Sequence, residues 1–194
     1  MKITYSNTAK LPTTYGEFNM ISFKQQGSEK EHCLIYMGDL AHGEDVMTRV
    51  HSECLTGDIF TSIKCDCGEQ LHESLRKIAA RKRGVLIYIK QEGRGIGLFN
   101  KVNAYALQDL GLDTIQANHS LGFATDLRDF TIAVKALHHL QIRSIVLLSN
   151  NPEKIKVFEN TPITVSEVMP LRTDPTAENR DYLNVKKAQL HHLL

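Results

Sequence analysis

The apolar positions in the first fifty residues follow patterns that are typical of β-strands. Gly16 to Met20 alternates polar and apolar residues, and Cys33 to Met37 is an apolar run of the kind found in buried strands. The stretch from Gln25 to Glu31, which contains Gly27, indicates a surface turn between them. We therefore predict that the N-terminal part is rich in β-structure.

From residue 69 onward the pattern changes to alternating helices and strands. An amphipathic helix that Gly84 ends is predicted by the spacing of Leu71, Leu75, Ile78 and Ala79. The strands predicted in this part are Val85–Ile89, Ser144–Leu148 and Ile163–Val165. The other predicted helices are Leu98–Leu110 with a stop at Gly111, one with Phe130, Ala133, Val134 and Leu137 on one face, a short one after Asn151-Pro152, and a terminal one over residues 180–192. This order predicts a mixed α/β fold in one domain over residues 1–194.

Composition narrows the class of protein. The chain has 194 residues, of which 42% are hydrophobic and 23% charged, as in ordinary globular proteins. Its net charge of +1 provides no global field for a polyanion, so a bound anion needs a local cluster of cations. Residues 1–16 resemble no signal peptide, and no apolar run approaches the ~20 residues of a membrane helix. We expect a cytoplasmic protein that binds neither nucleic acid nor membrane.

Three of the four cysteines are clustered. Cys54, Cys65 and Cys67 lie close together in sequence, whereas Cys33 stands apart. Clustered cysteines in a cytosolic protein indicate a metal site or catalysis. Three ligands with one open position are typical of catalytic zinc, but His51 or His72 could close a structural Cys3His site, and the cysteines could also bind no metal.

The segment before the cluster, Arg49 to Glu53, has two interpretations. If it is a strand, Arg49, His51 and Glu53 share one face, which is either a polar pocket wall beside the metal or the solvent face of an edge strand. His51-Ser52-Glu53 matches half of the zinc deaminase signature. The other half is missing, because no proline precedes Cys65-Asp66-Cys67, so we expect zinc-activated water on another fold.

Three further segments carry polar residues at predicted element ends. The loop Gln91–Gly97 has alternate glycines, which suit an anion near a helix N-terminus, and Arg94 suits phosphate, although a tight βα turn needs the same glycines. Thr125 or Asp126 could simply cap the following helix. Ser149 and Lys154 could begin a short helix or face a ligand at the carboxyl edge of the sheet.

Together these segments resemble the GTP cyclohydrolase II family over nearly the whole chain. The residues that carry the resemblance are Arg49–Asp58, Lys64–Gly68, Gln91–Leu98, Asn103–Asp109, Leu121–Asp129 and Ser149–Pro152. The resemblance implies the first step of riboflavin biosynthesis, in which GTP becomes a diaminopyrimidine with release of formate and pyrophosphate. It also implies magnesium on the triphosphate and a homodimer. Many relatives are fused to a dihydroxybutanone-phosphate synthase domain, and here we expect the stand-alone form.

The resemblance also assigns site residues. It implies that zinc is bound by Cys54, Cys65 and Cys67, that Asp126 acts as base, and that Arg128 attacks the α-phosphorus. Tyr105 indicates the full reaction, since relatives that stop at the formamide differ there. The positions matched to GTP binding are Arg49, Val50, His51, Ser52, Glu53, Gln70, Glu92, Gly93, Arg94, Thr114, Ser149 and Lys154. Ser149 replaces a threonine that is frequent in the family.

Chemistry leaves three questions open. Zinc lowers the pKa of bound water toward ~7, but three thiolates weaken the acidity of the ion, so Glu53 or Tyr105 is expected to help move protons. A guanidinium is a poor nucleophile, so Arg128 could instead stabilise charge in the transition state. Two alternative functions remain, a ring opening that retains the formyl group and a structural-zinc nucleotide-binding module.

Overall fold

The computed structural model describes residues 2–176, 178–180, 183 and 187. Within them the chain forms eight strands: β1 Ile3–Tyr5, β2 Ala9–Thr13, β3 Gly16–Gln25, β4 Glu31–Met37, β5 Val46–Ser52, β6 Gly84–Ile89, β7 Ser144–Leu148 and β8 Thr164–Met169. The α-helices are α1 Leu55–Asp58, α2 Cys67–Arg81, α3 Gly97–Asp109, α4 Thr114–Ser120, α5 Thr131–His139 and α6 Pro152–Lys156. A 3₁₀ turn covers Glu92–Gly95. None of the helices in this part of the chain has the length and apolar character needed to cross a membrane.

The strands form one mixed sheet in the order β1-β3-β4-β6-β5-β7-β8, and β2 pairs with the other half of β3. The pairs β1–β3, β2–β3, β3–β4 and β4–β6 are antiparallel, and short turns join β2 to β3 and β3 to β4. β6, β5, β7 and β8 run parallel, with helices in the connections between them. The predicted mixed α/β class is confirmed, with a strand-rich N-terminal part followed by alternation.

Two apolar clusters lie on opposite faces of this sheet. In β6, Val85 and Ile87 belong to the cluster that α5 covers with Ala133 and Leu137. Leu86 points to the other face and packs with Ile78 of α2. Because both faces of β6 are covered, the strand is apolar at nearly every position, as parallel strands usually are.

Two predicted helix boundaries are wrong. The helix α2 ends at Lys82, which adopts a left-handed conformation with φ of 54°, while Gly84 already begins β6. The helix α5 begins at Thr131 without a side-chain cap on Phe130, so neither Thr125 nor Asp126 caps it. Residues 121–130 instead form a loop whose polar groups bind other parts of the chain, which a local capping pattern does not reveal.

Two helices were not predicted, the short α1 (Leu55–Asp58) and α4. The helix α4, Thr114–Ser120, begins with a capping box in which Asp113 accepts the amide protons of Ile115 and Gln116, and the Gln116 side chain accepts that of Asp113. This motif was readable in the sequence as a polar residue followed three positions later by glutamine. The helix predicted over residues 180–192 lies for the most part outside the described residues.

Candidate active site

A cleft opens at the carboxyl ends of the parallel strands β5, β6 and β7. The space between its walls is about 1080 Å³ including open solvent. The predicted site residues that line it are Arg49, His51, Ser52, Glu53, Cys54, Cys65, Cys67, Gln70, Glu92, Gly93, Arg94, Tyr105, Thr114, Arg128, Ser149 and Lys154. The structure thus gathers side chains from many elements of the chain into one cavity.

Two predicted residues do not line the cleft. Val50 is fully buried in the core, and its contribution is its carbonyl oxygen, which accepts a hydrogen bond from Nζ of Lys154 at 2.7 Å. Asp126 lies behind Arg128 and forms an ion pair with it. Both residues therefore act on the cleft by holding a cation that does line it.

The three clustered cysteines meet where α1 and α2 approach each other. Their sulfur atoms all lie within 4.8 Å of one another, and Sγ of Cys54 is 3.6 Å from Sγ of Cys65. Two glycines permit this approach. A Cβ on Gly57 would lie 3.0 Å from the Cys65 sulfur, and a Cβ on Gly68 would lie 2.2 Å from the carbonyl oxygen of Gly57.

The cysteine cluster fits a metal ion. Zinc–sulfur bonds of ~2.3 Å in tetrahedral geometry place sulfurs ~3.8 Å apart, close to the 3.6 Å between Cys54 and Cys65. Without a cation, hydrogen bonds from Cys65 and Cys67 lower the pKa of Cys54 far below its usual range. The hydrogen bond with Cys54 in turn raises the pKa of Cys65 to about 11. Three thiolates can occupy this space together only with positive charge between them.

Neither candidate histidine completes a closed site. Among the described residues the cluster contains no histidine or carboxylate ligand atom. Nε2 of His51 lies 3.0 Å from Asp58 Oδ1, and His72 lies beside the hydroxyl of Tyr15 at 2.9 Å. The three cysteines line the cleft without a fourth protein ligand among the described residues, as is typical of catalytic zinc sites.

Asp58 braces the strand that leads into the cluster. Its carboxylate accepts hydrogen bonds from the backbone amide of Cys54 at 2.9 Å and from the hydroxyl of Tyr88 at 2.8 Å, in addition to its contact with His51. Burial lowers the pKa of His51, although Asp58 opposes that shift. A neutral His51 that donates from Nε2 to Asp58 leaves Nδ1 as an acceptor, and this buried atom has no partner in the described structure.

Arg49 and Gln70 form a second brace. The guanidinium donates to the carbonyl oxygen of Leu148 at 2.9 Å and to Gln70 Oε1 at 2.6 Å, and Gln70 donates to Asp66 at 2.6 Å. Burial lowers the pKa of Arg49 to about 10, which keeps it charged at neutral pH. β5 lies between β6 and β7 and is almost completely buried, so the interpretation of this segment as the solvent face of an edge strand is wrong.

The loop after β6 carries Glu92 and Arg94. Gly93 and Arg94 both have left-handed φ angles, 62° and 59°, which turn the chain sharply at the cleft wall. Glu92 accepts the amide proton of Leu55 at 2.6 Å and a proton of the Lys101 ammonium at 2.8 Å. Glu92 therefore connects this loop to α1 and α3.

The same loop positions Arg128. The carbonyl oxygen of Arg94 accepts the amide proton of Leu127 at 3.0 Å, and Gln91 Oε1 accepts that of Asp129 at 3.2 Å. Asp126 holds the guanidinium of Arg128 through two side-chain contacts of 2.9 and 2.6 Å. Although burial acts in the opposite direction, these bonds lower the pKa of Asp126.

Tyr105 faces the cysteine cluster from α3. Its hydroxyl lies 3.4 Å from Thr56 Oγ1, and its ring lies beside the ammonium groups of Lys64 and Lys101. Burial raises the pKa of Tyr105 to about 12, so the phenol is protonated at neutral pH and can donate a hydrogen bond or a proton.

The cleft is strongly basic although the chain is nearly neutral. Its lining has two carboxylates, Glu53 and Glu92, against six cations: Arg49, Lys64, Arg94, Lys101, Arg128 and Lys154. The cleft thus offers the local cluster of cations that a bound anion was predicted to need. Such a cluster attracts a multiply charged anion such as a triphosphate.

Several lining residues were missed by the sequence analysis. They are Lys64, Gln91, Ile96, Lys101, Ala104, Gln108, Asn118, Asn150 and Asn151. Lys101 and Asn118 are buried polar residues on helices, where a surface position is the default expectation. Their spacing was informative, because Lys101 lies four positions before Tyr105 and Asn118 four after Thr114, each pair on one helix face.

Comparisons with known proteins agree on one family. The family model described as GTP cyclohydrolase II matches residues 4–170. "GTP cyclohydrolase-2" of Hahella chejuensis is 50% identical over 194 residues, which is 100% of this chain and 94% of that protein. "GTP cyclohydrolase-2" of Tolumonas auensis is 50% identical over 187 residues, 96% of this chain and 95% of that protein.

One solved structure is similar at a much lower level. It is RibBX, described as a two domain 3,4-dihydroxy-2-butanone 4-phosphate synthase from A. baumannii, with a TM-score of 0.49 and 17% identity. The alignment covers 89% of this chain and 40% of that chain, and so weak a likeness carries no argument.

Proposed function

The chain belongs to the GTP cyclohydrolase II family, and we propose that it opens the imidazole ring of GTP at C8 and releases formate and pyrophosphate. The product would be 2,5-diamino-6-(5-phosphoribosylamino)pyrimidin-4(3H)-one, for riboflavin biosynthesis. The observation that carries the proposal is the cavity in which an open three-cysteine cluster faces six cations. A hydrolytic centre and an anion-binding wall are the two parts that this reaction requires.

The cations provide the binding energy for the triphosphate. Arg94 and Arg128 lie on adjoining loops, and Lys154 comes from α6, where its amine also donates to the carbonyl oxygen of Val50. Guanidinium groups bind phosphate oxygens in a forked geometry. We propose that magnesium enters with the triphosphate, and that Thr114 and Ser149 contribute hydroxyl contacts from the walls of the cleft.

The cysteines are proposed to hold one zinc ion. When bound by Cys54, Cys65 and Cys67, zinc supplies Lewis acidity that lowers the pKa of a water molecule toward ~7. The protein supplies the geometry around it, since Asp58 fixes the backbone of Cys54 and the two glycines allow α1 and α2 to meet.

Tyr105 is proposed to move a proton during the chemistry at C8. Its raised pKa keeps the phenol protonated, and its hydroxyl is held on the cysteine side of the cleft by Thr56. A protonated phenol suits the step in which a ring nitrogen leaves as an amine. Glu53 is a weaker candidate for this proton transfer, because its carboxylate is paired with Lys90.

Arg128 is proposed to stabilise charge on the departing pyrophosphate. The bidentate contact with Asp126 keeps the guanidinium charged and directed, and the lowered pKa of Asp126 makes that carboxylate a poor base. Both features favour electrostatic stabilisation over a covalent attack by Arg128.

Incubation with GTP, Zn²⁺ and Mg²⁺ tests the reaction directly. We expect formate and pyrophosphate to appear in equal amounts, followed together in one time course. A formamidopyrimidine product without formate would replace the proposal with ring opening alone. Absence of either product from zinc-loaded protein would contradict it.

A cysteine variant distinguishes a catalytic zinc from a structural one. If zinc is catalytic, Cys54→Ser stays folded and binds GTP but leaves C8 intact; a structural zinc knot predicts loss of folded protein instead. Cys33→Ser is the matched control, because Cys33 lies on β4 outside the cluster. Circular dichroism, GTP binding and formate release distinguish the outcomes.

We further propose a homodimer of single-domain chains in the cytoplasm. Reduced, clustered thiols fit that compartment. The helix α3 exposes apolar side chains, and so does the segment 59–63; together they are Leu98, Phe99, Val102, Ile59, Phe60 and Ile63. A second copy of the chain would cover such side chains. Light scattering coupled to size exclusion measures the mass.

A further inference from the structure

A lysine lies buried against the cysteine cluster. Lys101, on α3, is only 7% exposed, and its Nζ lies 3.2 Å from Sγ of Cys54 and 2.8 Å from Oε1 of Glu92. An ammonium is rarely buried unless it is paired, and here one partner is a carboxylate and the other a candidate metal ligand. The placement connects Lys101 to the metal site and not to general stability of the helix.

The charges explain what such a lysine does. Three thiolates around a divalent cation carry a net charge of −1, and they donate electron density that weakens the ion as an acid. A hydrogen bond from a cation to one of the sulfurs reduces that donation. Lys101 is placed to donate such a hydrogen bond to the Cys54 sulfur.

The partner of Lys101 connects it to the rest of the cleft. Glu92 also accepts the amide protons of Leu55, which follows Cys54, and of Gly93 in the anion-binding loop. A Cβ on Gly93 would lie 3.1 Å from Cβ of Lys101, so the loop and the lysine are closely packed. A shift of Lys101 would therefore move a metal ligand and the loop together.

We propose that Lys101 is a positioning residue that tunes the metal site through its hydrogen bond to the Cys54 sulfur. The inference rests on the proposed zinc-dependent function. Lys101 sets the affinity of the cysteine cluster for zinc and the acidity of the bound ion, with Glu92 holding the ammonium in place. In this role it acts on the ion through the Cys54 sulfur and not by contact with the reacting atoms.

Zinc affinity measured by competition with a chelator tests the proposal. Lys101→Met is expected to weaken zinc binding by ~10–100-fold, as is typical for residues that hydrogen-bond to metal ligands, and Lys101→Arg to restore most of it. Lys77→Met on α2 removes the same charge from a half-buried ion pair with Glu73, outside the cleft, and is expected to leave zinc affinity unchanged. In the Co²⁺-substituted protein, the sulfur-to-metal absorption band should shift in Lys101→Met and not in Lys77→Met.

A second variant keeps the test valid if Lys101→Met folds poorly. The single change leaves Glu92 buried without its cation, so the double variant Lys101→Met/Glu92→Gln removes both charges. Unchanged zinc affinity and an unchanged cobalt spectrum in either folded variant would overturn the proposal. If the unsubstituted protein itself bound no zinc, the proposed function would fail instead, so the two failures are distinguishable.

Discussion

Arg128 enters the cleft with its guanidinium already bound by Asp126, and this pairing decides what each residue can contribute. A carboxylate that accepts charge-assisted hydrogen bonds has a lowered pKa and takes up a proton poorly. A guanidinium so held keeps its charge and its direction. At the scale of the residue, the pair is therefore built to present a fixed positive charge to a phosphate.

Arg128 variants separate charge stabilisation from covalent catalysis. Arg128→Lys keeps the positive charge, so it should retain measurable pyrophosphate release, with a fall of ~10–100-fold, while Arg128→Ala should fall by ~10²–10³-fold. Steady-state release of pyrophosphate is the measurement. Complete loss of release in both variants, with GTP binding intact, would support the covalent step. Arg143→Ala, in an exposed ion pair, serves as the control.

At the scale of elements, the loop after β6 carries the cleft wall and also fixes the loop at 122–130. Gly95 has φ of 95°, and a Cβ there would lie 3.0 Å from Cβ of Leu127 and 3.1 Å from its backbone. The loop packs so tightly because Leu127 bonds the carbonyl oxygen of Arg94. Arg128, the next residue, is therefore positioned by an element about thirty residues away in sequence.

Gly95→Ala should reduce activity more than stability alone explains. A left-handed φ costs alanine about 1 kcal/mol. Gly111 has a similar φ of 99° but no atom within 4 Å of its Cβ position, so Gly111→Ala carries the strain without the contact. We expect both variants to lose free energy of unfolding in urea titrations, Gly95→Ala the more because of its contact with Leu127, and a fall in kcat/KM confined to Gly95→Ala. Equal kcat/KM in the two variants would show that the Leu127 contact is unimportant.

At the scale of the whole molecule, the sheet concentrates charge and buries histidines. The parallel order β6-β5-β7 places three strand ends side by side, which collects six cations in a chain of net charge +1. On the antiparallel side, burial lowers the pKa of His32, with help from Lys30 and Lys90, and partial desolvation lowers that of His139, which is exposed at the end of α5. These two histidines lie away from the cleft, so they report on folding.

Stability should decline as the pH falls below ~6.5. The pKa of His32 is lower in the folded chain than in the unfolded one, so between these two pKa values the unfolded chain binds more protons. The stability that is present above ~6.5 is therefore lost as the pH falls through the folded pKa. Urea unfolding at several pH values measures the slope. His32→Gln should reduce the slope to the part that His51 and His139 contribute, and the exposed His42→Gln should leave it unchanged. A slope unaltered by His32→Gln would rule out this source.

Elements that depend on near neighbours in sequence were predicted, and contacts between distant segments were not. The amphipathic pattern of α2, the apolar run of β6 and the Asn151-Pro152 start of α6 were predicted, because each depends on neighbours within a few residues. The cap at Asp126 was predicted wrongly, because that carboxylate binds Arg128 and the loop follows the Gly95 contact. The helix α4 was missed although its capping box was present in the sequence.

By itself the sequence determined the fold class, the family resemblance and the chemical types of the site: three thiols, several cations and a glycine-rich loop. Only the tertiary structure decided which groups meet. It assigned the Val50 carbonyl to Lys154, Asp126 to Arg128, and the buried Lys101 to the Cys54 sulfur. The physical reason is that hydrogen-bonded partners of buried charges are selected by packing between elements distant in the chain, whereas local patterns report only on near neighbours.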